Sequence, residues 1–130
     1  MNGLHLTADL VGCRIDAAPM TDPEALRRLC VEAVGWAGLT AVAELFHRFD
    51  PGAGAPVGAQ GGVTGVVLLA ESHLAVHTWP EIGAVTLDAY VCNFSGDNSQ
   101  RAHCLIDRLI GDLQPLRVER RHVIRGSLTT

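Results

Sequence analysis

Charge is scarce in this chain. Of its 130 residues, 18% are charged and 48% are apolar. That balance excludes a disordered protein and leaves few charges to cover a surface, so some apolar surface is expected to be buried between subunits. Long apolar runs are also missing. No run approaches the about 18 residues that a membrane span needs, so none is expected. The formal charge is -4, and no basic block occurs before the end. There Arg117, Arg120, Arg121 and Arg125 are interleaved with Val118, Val123 and Ile124. That pattern reads as a solvated strand face and not as a nucleic-acid patch. The opening Met1-Asn2-Gly3-Leu4-His5 lacks the charged and apolar blocks of a signal peptide, and a cytoplasmic location is expected. Cys13, Cys30, Cys92 and Cys104 form no C-x-x-C pair. A zinc site or disulfide framework is therefore not expected, and the four should be free thiols. Internal repeats are absent as well.

What is present reads as one domain spanning residues 1–130. Leu4 to Val11 alternates as a strand. Thr21-Asp22-Pro23-Glu24 reads as a capping box opening a helix, with Leu26, Leu29, Cys30, Ala33, Val34 and Ala37 on its apolar face and Gly38 as its stop. Leu39 to Phe49 reads as a second strand, and the Gly/Ala/Pro-rich stretch from Asp50 to Gly62 as a surface loop. Strands follow over Val63–Ala70, His73–Thr78 and Ala84–Cys92, then a loop over Asn93–Asn98. Ser99–Leu113 has helical periodicity, and Leu116–Ile124 is a last strand. Two helices cannot cover both faces of about six strands. The expected fold is an α/β two-layer sandwich, a mainly antiparallel sheet with both helices on one face.

Several side chains carry chemistry. Alternation sends Asp88, Tyr90 and Cys92 to one side of their strand, with Cys92 at its end. Taken alone, Cys92 reads first as a buried cysteine and second as a ligand-facing thiol. On a strand, His73 and His77 lie about 13 Å apart, too far to share a metal, and no H-E-x-x-H pattern exists; no metal site is expected. Ser72 lacks the G-x-S-x-G elbow of a hydrolase nucleophile. A triad of Ser72 with His77 and Asp88 has no support in the spacing.

Together these residues resemble a known pattern. Glu71-Ser72-His73-Leu74-Ala75-Val76-His77-Thr78-Trp79-Pro80-Glu81 is similar to the processing site of the prokaryotic S-adenosylmethionine decarboxylase proenzymes, a pyruvoyl-dependent family. Gly3-Leu4-His5-Leu6, Phe46-His47-Arg48-Phe49, Gly62 to Val67, and Leu87 to Cys92 resemble the flanking strands. The resemblance implies self-cleavage between Glu71 and Ser72, giving a β chain 1–71 and an α chain 72–130. Ser72 would become the pyruvoyl group, whose carbonyl forms a Schiff base with the substrate amine. The family has a serine eight residues before the cleavage serine; Thr64 stands there and would supply the processing hydroxyl. His77 would be the acid/base of processing, and Cys92 the proton donor in decarboxylation. Glu81 would hold the ribose, Phe49 the adenine, and Trp79 would line the pocket. Family members pair into a four-layer αββα homodimer with sites built from both protomers, so a homodimer is implied. The product would be the aminopropyl donor for spermidine. Asn93-Phe94 stands where many members have a glycine directly after the cysteine, which bears on substrate identity. The alternatives are a pyruvoyl-dependent arginine or ornithine decarboxylase on the same scaffold, and a non-catalytic regulatory homologue.

Overall fold

The computed structural model describes residues 2–126. Residue 1 and residues 127–130, the outer ends of the expected domain and α chain, lie outside the described residues. The elements in chain order are β1 (Gly3–Val11), α1 (Pro23–Trp36), β2 (Ala41–Arg48), β3 (Val63–Leu69), β4 (Ser72–Trp79), β5 (Ala84–Cys92), α2 (Ser99–Leu113) and β6 (Arg117–Arg125). They match the expected order, with one single-turn 3-10 helix, Ala18–Met20, added before α1. No helix among the described residues is long and apolar enough to cross a membrane.

The strands form one six-stranded sheet in the order β2-β3-β4-β5-β1-β6. Every neighbouring pair is antiparallel. Strict alternation gives the sheet two different faces. One face presents Leu4, Leu6, Ala8 and Leu10 of β1, Leu74 and Val76 of β4, and Val85, Leu87, Ala89 and Val91 of β5, all buried. Both helices cover this face. α1 inserts Leu26, Cys30, Ala33 and Val34, and α2 inserts Ala102, Leu105, Ile106, Leu109 and Leu113. Each fully buried leucine here contributes about 2 kcal/mol over an exposed one. The other face carries no helix. It presents Thr64, Val66 and Leu68 of β3, His73, Ala75, His77 and Trp79 of β4, Thr86, Asp88, Tyr90 and Cys92 of β5, and His5, Thr7 and Asp9 of β1.

The start of α1 departs from the sequence reading. Thr21 was expected to cap the helix, but Asp22 does: its carboxylate accepts from the Glu24 amide at 3.0 Å. The cause is Pro23 at the first helical position, whose ring forces the residue before it into the extended conformation that a cap needs. Glu24 turns instead to Arg27, 2.6 Å away. Both edge strands carry charge. In β6, Arg121 pairs with Asp9 at 2.9 Å and with Glu119 at 2.8 Å, and Arg120 pairs with Asp107 of α2. The strand is thus a solvated face, as expected, and its ion-paired Arg120 and Arg121 guard the edge against pairing with another chain.

Candidate active site

β3 and β4 are joined by a two-residue turn, Ala70-Glu71, with Leu69 opposite Ser72. To close so short a turn, Glu71 takes φ 56°. An L-residue in the left-handed region carries a cost of about 1–2 kcal/mol. The Glu71–Ser72 peptide, the expected scissile bond, therefore begins at a strained residue. Ser72 is the first residue of β4, and its Oγ accepts a hydrogen bond from the Cys92 backbone N–H at 3.0 Å. This bond ties the serine to the end of β5. Cys92 is half-buried. It borders an open cavity of about 390 Å³ together with Glu71, Tyr90 and Phe94.

The segment after Cys92 is held by its own polar side chains. The Asn93 N–H donates to the Asn2 carbonyl at 2.6 Å. Asn98 donates through Nδ2 to the Cys92 carbonyl at 3.0 Å and through its backbone N–H to Asn93 Oδ1 at 2.7 Å. Beside Tyr90, His5 Nε2 lies 2.9 Å from Asp88 Oδ1. The His5 and His73 rings flank Tyr90, with centroids 6.4 and 5.9 Å away.

The remaining candidates gather elsewhere. Thr64 and His77 are direct cross-strand partners, with Thr64 Oγ1 2.9 Å from His77 Nδ1. The His77 ring stacks on Trp79 at 5.8 Å between centroids. Phe49 lies just past β2, edge-on to His47 at 4.6 Å, and its amide donates to the Gly62 carbonyl at 2.9 Å. Glu81 sits in the β4–β5 turn on the wall of a separate cavity of about 340 Å³ that also includes Gln60. Gln60 also lines the cavity around Phe49, so the Gly/Ala loop borders both.

The expected site is thus divided. Ser72, Glu71 and Cys92 lie at one end of β4. His77, Thr64, Trp79, Phe49 and Glu81 lie at or beyond the other. Five residue steps separate Ser72 from His77, roughly 16 Å along an extended strand. Within one protomer the serine and the histidine do not meet.

The sequence reading did not single out His5 or Phe94 as site residues. Phe94 had a signal, since it follows Cys92 closely in a loop. His5 had none, because its place beside Asp88 depends on the β1–β5 register.

Known proteins share this fold. The family model for S-adenosylmethionine decarboxylase matches residues 4–126. The S-adenosylmethionine decarboxylase proenzyme of Aquifex aeolicus is 41% identical over 124 residues, covering 95% of this chain and 81% of its own. That of Picrophilus torridus is 39% identical over 125 residues, covering 96% of this chain and 85% of its own. The crystal structure of the adenosylmethionine decarboxylase from Aquifex aeolicus superposes with a TM-score of 0.80 at 38% identity, over 95% of this chain and 90% of that one. The chain belongs to the S-adenosylmethionine decarboxylase family.

Proposed function

We propose that this chain is a self-processing, pyruvoyl-dependent decarboxylase of S-adenosylmethionine, which supplies the aminopropyl donor for spermidine synthesis. The observation that carries the proposal is the Glu71–Ser72 peptide. It lies at the tip of a two-residue hairpin with Glu71 at φ 56°, and the serine oxygen is fixed 3.0 Å from the Cys92 amide. In processing, Ser72 Oγ adds to the Glu71 carbonyl carbon. The C–O ester bond forms as the C–N bond breaks, and the amine of residue 72 is released. Holding the nucleophile on a fixed strand beside its target removes most of the entropic cost of this step. Elimination of the Glu71 carboxylate from the ester, followed by hydrolysis, leaves the pyruvoyl group at residue 72 and releases ammonia.

The residues present fit such a group. The freed start of β4 borders an open cavity, and Cys92 stands on its wall. A pyruvoyl group supplies a carbonyl that takes up the electron pair left when carbon dioxide departs from an amine-bearing carbon. Cys92 delivers the proton that replaces the carboxylate. Because these residues lie at the other end of β4, it is Phe49 of the partner subunit that packs on the adenine, Glu81 of the partner subunit that accepts hydrogen bonds from the ribose hydroxyls, and Trp79 of the partner subunit that lines the same end.

The divided site favours a homodimer. Pairing the two helix-free faces about a two-fold axis interchanges the ends of β4. Each Ser72 then meets His77 and Thr64 of the partner subunit, whose Oγ1–Nδ1 pair supplies the hydroxyl and the acid/base of processing. The pairing makes a four-layer αββα assembly and covers exposed Leu45 and Leu68.

Intact mass of the purified protein should show fragments 1–71 and 72–130, and carbon dioxide should be released from S-adenosylmethionine and not from arginine or ornithine. A single uncleaved chain overturns the proposal. Release from an amino acid alone keeps the chemistry and changes the substrate.

A further inference from the structure

Gly3 of β1 pairs with Cys92 of β5 on one side and with Arg125 of β6 on the other. The three lie in one row across the helix-free face, and the middle position has no side chain. A Cβ on Gly3 would lie 2.6 Å from the Tyr90 hydroxyl oxygen, so only glycine leaves this gap open. The Arg125 side chain crosses it. Its guanidinium reaches over β1 toward β5 and lies 5.4 Å from the centroid of the Tyr90 ring. Tyr90 in turn forms part of the wall of the cavity at the start of β4, with Glu71, Cys92 and Phe94. Arg120 and Arg121 of the same strand are held by carboxylates, whereas no ion pair among the described residues involves Arg125. Stacking on an aromatic ring fixes a guanidinium in place and leaves its outer N–H groups for a second partner. Their planar fork matches a carboxylate.

The substrate proposed above brings one carboxylate, on the carbon whose amine joins the group at residue 72. In the cavity that carboxylate is repelled by Glu71 on the β4 side and drawn toward the guanidinium on the β6 side. We propose that Arg125 binds the substrate carboxylate, the group later lost as carbon dioxide. The inference rests on the S-adenosylmethionine reading and deepens it. Arg125 acts on binding and takes no part in breaking the bond. Carbon dioxide leaves neutral and its electron pair stays behind, so the charge that Arg125 holds fades as the bond breaks. Its grip is therefore strongest on the ground state, which lowers KM without raising kcat. The product lacks the carboxylate and is free of this contact.

Arg125→Gln removes the charge, and Arg125→Lys keeps the charge without the fork. Both should cleave normally, because Arg125 lies outside the processing groups. Two measurements are paired: the KM for S-adenosylmethionine, and the inhibition constant of its decarboxylated product, which differs only by the missing carboxylate. Arg125→Gln should raise the KM roughly ten- to hundredfold, leave product inhibition within about twofold, and leave kcat unchanged or slightly higher. Arg125→Lys should give a KM between those of the native protein and Arg125→Gln, again with product inhibition intact. A merely structural role would weaken substrate and product alike. Such a parallel loss, or an unchanged KM, in a processed and active variant overturns the carboxylate contact alone. If Arg125→Gln does not fold, Arg125→Lys decides by the same comparison. A processed native protein that does not decarboxylate S-adenosylmethionine overturns the functional reading and this inference with it.

Discussion

Glu71 shows how one residue can carry two demands. A two-residue turn requires a left-handed conformation at this position, and glycine would meet that requirement without cost. The sequence places glutamate there instead, immediately before the bond proposed to break. If relief of that strain contributes to bond breaking, Glu71→Gly should slow processing by roughly five- to thirtyfold, corresponding to about 1–2 kcal/mol. Glu71→Ala, which keeps the strain and removes the carboxylate, is the control. Following conversion of the precursor on a denaturing gel separates them, and equal rates for Gly and Ala would show that the backbone conformation plays no part. Cysteines differ as sharply from one another. Cys30 is fully buried, and burial pushes its thiol up to about 12. Cys92 is half-buried at the end of a strand. Alkylation of the folded protein at pH 8 should therefore modify Cys92 and spare Cys30. Loss of decarboxylation should track the mass added to the peptide containing Cys92. Full alkylation of Cys92 with activity intact would remove its role as proton donor.

At the scale of elements, helix α1 links burial to pH. The Cys30 thiol has an ordinary value of 9.0 and is raised by desolvation inside the core. Above that value the unfolded thiol gives up its proton while the folded one retains it. The unfolded state then binds fewer protons, so stability falls as pH rises from about 9 toward 12, by up to about 1.4 kcal/mol per pH unit. Cys30→Ala should be less stable at pH 7, because it leaves a small void, yet its stability should decline less steeply above pH 9. Denaturant titrations at pH 7, 9 and 10 measure this, and parallel declines would refute it. The elements themselves were legible in the sequence because each has its own period: Val85, Leu87, Ala89 and Val91 alternate, whereas Leu105, Ile106, Leu109 and Leu113 recur at helical spacing. The α1 cap was misplaced by one residue, because both Thr21 and Asp22 can accept from a helix amide and only the geometry imposed by Pro23 decides between them. Within the site, the grouping of Asp88, Tyr90 and Cys92 followed from alternation along one strand. The His5–Asp88 contact joins residues 83 positions apart and could not. The divergence of Ser72 and His77 was open to strand arithmetic, since the spacing that sets His73 about 13 Å from His77 sets Ser72 one residue farther.

For the whole molecule, that separation is the central fact. A rigid antiparallel strand cannot fold back to bring Ser72 to His77, so a site that uses both must draw them from different protomers. The β3–β4–β5 core of the sheet is held by continuous cross-strand pairing, and local bending would break it. Two-fold pairing of helix-free faces resolves the geometry without moving either residue within its own chain, and makes an asymmetric prediction. Ser72→Ala and His77→Ala chains, expressed separately, should each remain uncleaved. Expressed together with different tags, they should form mixed dimers in which the His77→Ala chain is cut, because its Ser72 faces the intact histidine of its partner. The Ser72→Ala chain should stay whole, having no hydroxyl to attack with. Tandem purification on both tags isolates the mixed dimers, and intact mass identifies which chain carries the break. Mixed dimers in which neither chain is cleaved would return His77 to its own protomer and remove the reason for the proposed pairing. Cleavage of the His77→Ala chain when expressed alone would show instead that processing does not need the imidazole.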